Sequence, residues 1–146
     1  MRNQIRKFFK GFSGENTLGL TLTLRQNESG EWIDQIKAQQ NFRHFMNLLN
    51  TSVFGNGFRR FGKRNVVLPS LECSHSGRWH YHVAIKNPRP DEPFWFEQEI
   101  RKLWLKTRWG YKEIHIHRST DDGWMRYITK LNPRDEIDWE NTFKAC

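Results

Sequence analysis

Hydrophobic and polar residues alternate along four segments of the chain, and this two-residue period predicts β-strands. In the first segment, Leu18–Arg25, the residues Leu20, Leu22 and Leu24 should share one face, with threonines on the other. The other three predicted strands are Asn65–Ser74, Arg78–Lys86 and Tyr111–Arg118. Strands of this kind bury one side in a core and leave the other side accessible.

Other segments repeat hydrophobic residues at three- and four-residue spacing, which predicts amphipathic helices. The first covers about Gln35–Ser52 and ends near Gly55, and the second covers Pro93–Arg108, with proline at its first position. A last helix should begin after the N-cap candidates at Thr120–Asp122 and stop before Pro133.

The predicted order β-α-β-β-α-β-α indicates an α+β fold. We expect an antiparallel, RRM-like or ferredoxin-like sheet of four to five strands, with helices on one face and an active site on the other. At 146 residues the chain has room for one sizeable core, so a single domain, 1–146, is expected.

The charge balance favours a polyanionic partner, since 24 Lys and Arg residues outnumber 16 Asp and Glu residues and the net charge is +8. Nucleic acid fits better than a membrane, because no apolar run approaches the roughly 18 to 20 residues that span a bilayer. The sequence starts without the apolar core of a signal peptide, and its two cysteines have no metal-ligand spacing. These features predict an intracellular protein in a reducing compartment.

The segment Phe58–Arg64 is rich in cations and predicts a basic loop suited to phosphate groups. Its cations are Arg59, Arg60, Lys63 and Arg64. A solvated loop without a ligand is an equally good interpretation of such a segment.

Two histidines, His80 and His82, should point to the same side of their strand, away from the core. If His75, Ser76 and Gly77 form a three-residue hairpin loop, with Gly77 in the left-handed position, Glu72 lies opposite His80.

This register predicts a cluster of two imidazoles and one carboxylate, with Leu71 and Cys73 turned inward. A solvated polar face remains the alternative. A second pair, His115 and His117, alternates in the same way, with Glu113 on its own strand. The first pair is favoured because the hairpin supplies its carboxylate.

In the last predicted helix, Tyr127 and Lys130 are three residues apart and flank the apolar stripe. A tyrosine there is commonly a packing residue and a lysine a solvated charge. Beside a metal, however, the tyrosine could act as a nucleophile, helped by the neighbouring cation and by a metal-polarised phosphate.

Three motifs in this order resemble those of the HUH superfamily, and within it the rolling-circle replication initiators of plasmids, phages and small single-stranded DNA viruses. The first motif is similar to Leu20–Arg25, and the second to Leu71–Glu72 followed by Gly77–Val83. The third is similar to Tyr127–Lys130, which begins 45 residues after His82. The tyrosine follows the histidines and is paired with lysine, as in initiators rather than relaxases or small transposases.

The resemblance implies that Glu72, His80 and His82 hold Mn²⁺ or Mg²⁺ and that Tyr127, assisted by Lys130, attacks the scissile phosphate. A 5′-phosphotyrosine would form and a 3′-hydroxyl would be released to prime replication. The expected partner is single-stranded DNA at an origin, either open or in a hairpin, with no small-molecule cofactor. The DNA-binding residues are expected to be Arg25, Arg59, Arg60, Lys63, Arg64 and Arg78.

No Walker A motif is present, so a host helicase, or a helicase domain elsewhere in a longer protein, would be needed. The first motif favours a bacterial cytoplasm over a eukaryotic nucleus. Two other functions stay open: a related single-strand transposase or relaxase, and an RRM-like module that binds single strands without catalysis.

Overall fold

The computed structural model describes residues 16–74 and 77–118 together with Asp138 and Asn141. Four long strands form one antiparallel sheet in the order β4-β5-β1-β6. Their bounds are Thr17–Leu24 for β1, Val67–Cys73 for β4, Trp79–Lys86 for β5 and Gly110–His117 for β6. Each strand begins and ends within two residues of its predicted bounds, and the α+β architecture is confirmed.

Within the described residues, three helices accompany the sheet: α1 (Gln35–Phe54), α2 (Asn56–Phe61) and α3 (Pro93–Lys106). The side chain of Asp34 caps α1 by accepting from the backbone N–H of Lys37 at 2.8 Å. The helices α1 and α3 were predicted, whereas α2 was not. The last predicted helix, after Thr120, lies outside the described residues.

Two short elements correct the sequence-based picture. The segment 58–64 was expected to be a loop, but its first half belongs to α2, which ends at Gly62 in the left-handed conformation. A small hairpin, β2 (Asn27–Glu28) and β3 (Glu31–Trp32), also interrupts the predicted connection between β1 and α1. Neither element is long enough to show a clear hydrophobic period.

The core lies between α1, α3 and one face of the sheet. Leu20, Leu22 and Leu24 point into it and are buried. The ring of Phe45 on α1 meets that of Trp104 on α3 edge-on at 5.3 Å. The indole N–H of Trp104 donates to the carbonyl oxygen of Thr23 at 3.0 Å, which ties α3 to the central strand β1.

The second face of the sheet is only partly accessible. At the end that carries Glu72 and His80, the side chains are half-buried. At the other end, Thr17, Leu68 and Ala84 are buried although they point away from α1 and α3. The sequence had suggested a face that is open throughout, so this is a refinement of the expected arrangement.

Gly110 marks the tight turn from α3 into β6 and offers a test of this packing. A Cβ atom at this position would collide with the carbonyl oxygen of Trp104 and lie 2.6 Å from Oγ1 of Thr107. We expect Gly110→Ala to lower the free energy of unfolding by about 1–3 kcal/mol, the usual cost of overpacking, as measured by urea denaturation. In the control Gly57→Ala, the new atom meets only the flexible side chain of Lys63 closely, so stability should be unchanged or slightly higher. Equal stability of the two variants would contradict this packing.

Candidate metal centre on the sheet

The turn between β4 and β5 fixes the register of the site. Gly77 has φ 78°, a left-handed conformation that glycine adopts without strain. The backbone N–H of Ser74 donates to the carbonyl oxygen of Arg78 at 2.9 Å, closing the loop. Glu72 therefore pairs with His80 across the two strands, which is the predicted register.

Three side chains converge on the accessible end of the second face. Oε2 of Glu72 lies 3.2 Å from Nε2 of His80 and 3.0 Å from Nε2 of His82. One ligand atom from each residue lies within 4.8 Å of the other two. Among the described residues, no other group of three or more such side chains meets this criterion.

His82 is the most enclosed of the three residues, with its side chain 11% exposed. Its Nδ1 lies 3.3 Å from the hydroxyl of Thr21 on β1, so Nε2 is turned toward Glu72. Burial lowers the pKa of His82 and the neighbouring His80 adds to this effect, while Glu72 opposes it. The ring therefore favours its neutral form, the form that binds a metal.

The donor set fits a divalent cation. Two neutral imidazoles and a carboxylate leave open coordination positions, and the half-buried side chains of Glu72 and His80 keep one side accessible. Nitrogen and oxygen donors of this kind accept Mn²⁺ as well as other divalent ions, so the donors alone do not select the metal. The arrangement can thus hold a cation that also binds a substrate oxygen.

The second histidine pair lies on the same face but two strands away. His115 pairs with Thr21 and His117 with Gly19, both on β1, so β1 separates this pair from His82. Both histidines are exposed, and neither joins the three-residue cluster. Of the two alternatives left by the sequence, only the first brings three donors together within the described segments.

One neighbouring side chain differs from expectation. Cys73 was expected to turn inward with Leu71, but it is exposed, whereas Leu71 is buried. Cys73 is the last residue of β4, and although it pairs with Trp79 on the inward face, the cover of the core does not extend to its side chain. Strand alternation alone does not reveal where that cover ends.

A contact without any signature in the sequence lies behind the cluster. Tyr81, between the two histidines, points into the core and donates its hydroxyl to Oδ2 of Asp138 at 2.8 Å. The backbone N–H of Asp138 donates to the carbonyl oxygen of Pro69 on the edge strand β4 at 3.0 Å. Burial and the Asp138 carboxylate raise the pKa of Tyr81, so its hydroxyl stays protonated. No local pattern links residues this far apart.

The basic residues predicted to bind DNA fall into two groups. Arg25 and Arg78 are exposed, and their neighbours in sequence are Gln26 and Trp79. The backbone N–H of Trp79 donates to Oε1 of Gln26 at 2.8 Å, and Nε2 of Gln26 donates to the carbonyl oxygen of Trp79 at 3.1 Å. This pair lies at the end of the sheet that carries the cluster. The second group, Arg59, Arg60, Lys63 and Arg64, precedes the opposite end of β4. Tyr127 and Lys130 lie outside the described residues.

The fold is an antiparallel sheet, and the site is a cluster of two histidines and one carboxylate on its second face. Together they define a class of α+β proteins with a candidate metal centre on the sheet. A family model described as "Replication-associated protein ORF2" matches residues 17–132. The chain therefore belongs to this family of rolling-circle replication initiators, and its His/Glu cluster is compatible with an HUH motif. No match was found among curated proteins or among solved structures. None of the described helices is long and apolar enough to cross a membrane.

Metal binding tests the cluster directly. We expect Mn²⁺ to bind the protein, and Glu72→Gln and His82→Ala each to weaken that binding at least tenfold, because the first replaces a charged carboxylate by a neutral amide and the second removes an imidazole donor. Isothermal titration calorimetry would measure the loss. Glu113→Gln and His115→Ala, on the other edge strand, should bind as the unchanged protein does. A similar loss in these control variants would place the ion elsewhere.

The bond behind the cluster can be tested separately. Tyr81→Phe keeps the ring that packs 4.5 Å from Phe42 but leaves the buried Asp138 carboxylate without this hydroxyl donor. We expect the free energy of unfolding to fall by about 1–3 kcal/mol in urea denaturation. Tyr111→Phe, at the half-exposed start of β6, should change it little. If Tyr81→Phe leaves the free energy of unfolding unchanged, the hydrogen bond between Tyr81 and Asp138 does not stabilise the fold.

Proposed function

We propose that this protein nicks and rejoins single-stranded DNA at a replication origin, by transesterification through a tyrosine. The observation that carries the proposal is the convergence of Glu72, His80 and His82 on an accessible part of the sheet. Membership in a replication initiator family supports DNA as the substrate. We also propose that residues 1–146 act as one nuclease domain, without a helicase of their own.

Glu72, His80 and His82 would hold the divalent cation, Mn²⁺ or Mg²⁺. When bound, such an ion polarises a phosphate oxygen and stabilises the negative charge that develops on it. The residues of the chain orient this centre, because Thr21 contacts Nδ1 of His82 and the hairpin holds Glu72 opposite His80.

Tyr127 is the proposed nucleophile. Its phenolic oxygen would attack the phosphorus atom and form a tyrosine–phosphate ester as the bond from phosphorus to the 3′-oxygen breaks. The tyrosine proton would leave, and the departing 3′-oxygen would take up a proton to give the 3′-hydroxyl. Lys130, three residues further on, would stabilise the phenolate by its positive charge. Attack by a 3′-hydroxyl on the ester reverses these steps and rejoins the strand.

Arg25 and Arg78 are proposed to hold the DNA strand at the metal end of the sheet. Both side chains are exposed, and the hydrogen bonds between Gln26 and Trp79 bring their backbone positions together. Guanidinium groups bind phosphates in a bidentate manner, which would position a strand over Glu72 and His80.

Two described contacts flank the sequence that contains Tyr127. Arg118, after the edge strand β6, pairs with Glu97 at 3.2 Å. Asp138 is bonded to Pro69 on the opposite edge strand β4. One of these contacts thus lies at each edge of the sheet, and the metal cluster lies on β4 and β5 of the same sheet.

The decisive experiment is a covalent adduct assay with Mn²⁺ or Mg²⁺ and a library of single-stranded oligonucleotides. We expect a protein–DNA adduct that resists denaturation and carries the phosphate on Tyr127, as identified by mass spectrometry. Tyr127→Phe should abolish it, since phenylalanine has no oxygen to form the ester. Tyr111→Phe is the matched control and should react normally.

Lys130→Gln should slow adduct formation at neutral pH and recover part of the rate at higher pH, where tyrosine ionises more readily. An adduct that persists in Tyr127→Phe would refute the assignment of the nucleophile. DNA binding without any adduct, with or without metal, would instead favour the non-catalytic binding module.

A further inference from the structure

The cations and exposed aromatic ring at the far end of β4 form a second feature, which we call the basic patch. Its members are Phe58, Arg59, Arg60, Phe61, Lys63 and Arg64. No Asp or Glu occurs between Asp34 and Glu72, so no acidic residue of this stretch offsets their charge.

Several other cations of the structure, unlike these, are engaged by carboxylates. Lys37, Lys102 and Arg108 each make a salt bridge to a glutamate, at 3.0, 2.7 and 2.9 Å respectively. Arg59, Arg60 and Lys63 make no salt bridge with any residue in the described part of the chain, and their side chains are exposed. They are therefore available to an anionic ligand.

The patch also presents an aromatic surface. Phe61 is 79% exposed, more than any other large hydrophobic residue of the described segments. Its neighbours in sequence are Arg60 and Gly62, and the guanidinium of Arg64 lies 5.7 Å from the ring of Phe58. Exposed rings between cations are typical of surfaces on which unpaired bases stack while the phosphates are neutralised.

Another strongly exposed ring, Trp32, lies in a different electrostatic environment. It is 68% exposed, but it adjoins Glu31 and follows Glu28, both of which are paired with Arg108. Arg108 is thus engaged by two carboxylates and is less available to a phosphate than the cations of the basic patch. Trp32 therefore serves as a matched control for Phe61.

The position of the patch sets its distance from the metal centre. The chain leaves the patch at Asn65, whose backbone N–H donates to Oδ1 of Asn50 at 2.8 Å, and then enters β4. From Val67 to Glu72 the strand extends over about 17 Å, at about 3.3 Å per residue. At about 3.4 Å per nucleotide, the spacing of a base-stacked strand, this separation corresponds to about five nucleotides, and an unstacked strand spans it with fewer.

We propose that the basic patch binds a single-stranded flank of the DNA, a few nucleotides from the phosphate held at the metal centre, about five if the strand is base-stacked. The part of this inference that places a phosphate at the metal centre rests on the proposed function. Binding of single-stranded DNA by the basic patch does not depend on it. The patch contributes affinity and Phe61 contributes stacking, whereas the reaction occurs at the other end of β4.

The first experiment needs no nicking activity. Fluorescence anisotropy with a 20-nucleotide oligothymidylate would compare Arg59→Gln/Arg60→Gln and Phe61→Ala with the controls Lys102→Gln and Trp32→Ala. We expect the double variant to make the plot of log affinity against log salt shallower by about 1.4, since each single-strand phosphate contact contributes about 0.7. Phe61→Ala should weaken binding about five- to hundredfold, whereas the controls should bind normally. Unchanged binding by the patch variants overturns the proposal.

A duplex arm separates stacking from charge attraction. When the oligothymidylate is annealed to oligoadenylate, its bases are no longer free to stack on the ring. The effect of Phe61→Ala should then disappear, while a charge effect of Arg59→Gln/Arg60→Gln remains. An equal effect of Phe61→Ala on single-stranded and duplex DNA would overturn the assignment of a single-strand site.

The second experiment measures the distance, using the oligonucleotide selected by the adduct assay. Trimming it on each side in turn should reveal one side on which the affinity falls once the remaining flank is too short to reach the patch, at about five nucleotides for a base-stacked strand. Below that length, Arg59→Gln/Arg60→Gln should bind and react as the unchanged protein does. If the double variant weakens short and long substrates equally, the patch does not contact a distant flank. Patch-dependent binding to oligothymidylate, together with no adduct from any oligonucleotide of the library, would instead refute the proposed nicking and leave the patch in place.

Discussion

The site depends on one constraint, the pairing register between β4 and β5. A shift by a single residue would turn Glu72 from the second face into the core and would place Cys73 opposite His80. The left-handed conformation of Gly77 and the bond between Ser74 and Arg78 hold the register at the loop. The alternation of buried and polar residues along both strands holds it over their length. Loop geometry and hydrophobic burial thus determine the same three-residue cluster.

The strand that carries the two histidines is also held from behind. Tyr81 lies between them in sequence and points to the opposite side, where its ring packs on Phe42 and its hydroxyl bonds to Asp138. Movement of the histidines relative to β4 would therefore disturb a buried ring and a buried carboxylate. Because packed interiors resist such displacement, the core helps to keep the imidazoles in place.

Local patterns predicted the sheet and the cluster, because both follow from a two-residue period and from a turn with glycine at one defined position. Those patterns could not predict the contact between Tyr81 and Asp138, which depends on the path of the chain far from β5. They also failed for α2, whose six residues are too few for a helical period to emerge. The exposure of Cys73 was missed because it depends on how far along β4 the cover of the core extends.

The uneven burial of the second face limits how a substrate can reach the cluster. Leu68 and Ala84 are buried beyond His82, whereas Glu72 and His80 remain half-exposed. The hairpin end is therefore open to a substrate, and the exposed Arg25 and Arg78 lie there and attract a phosphate backbone. A cluster placed at the middle of the sheet would have the same donors but no such entrance. The geometry of burial, and not the donor set alone, makes the two histidines and the carboxylate suited to a polymeric anion.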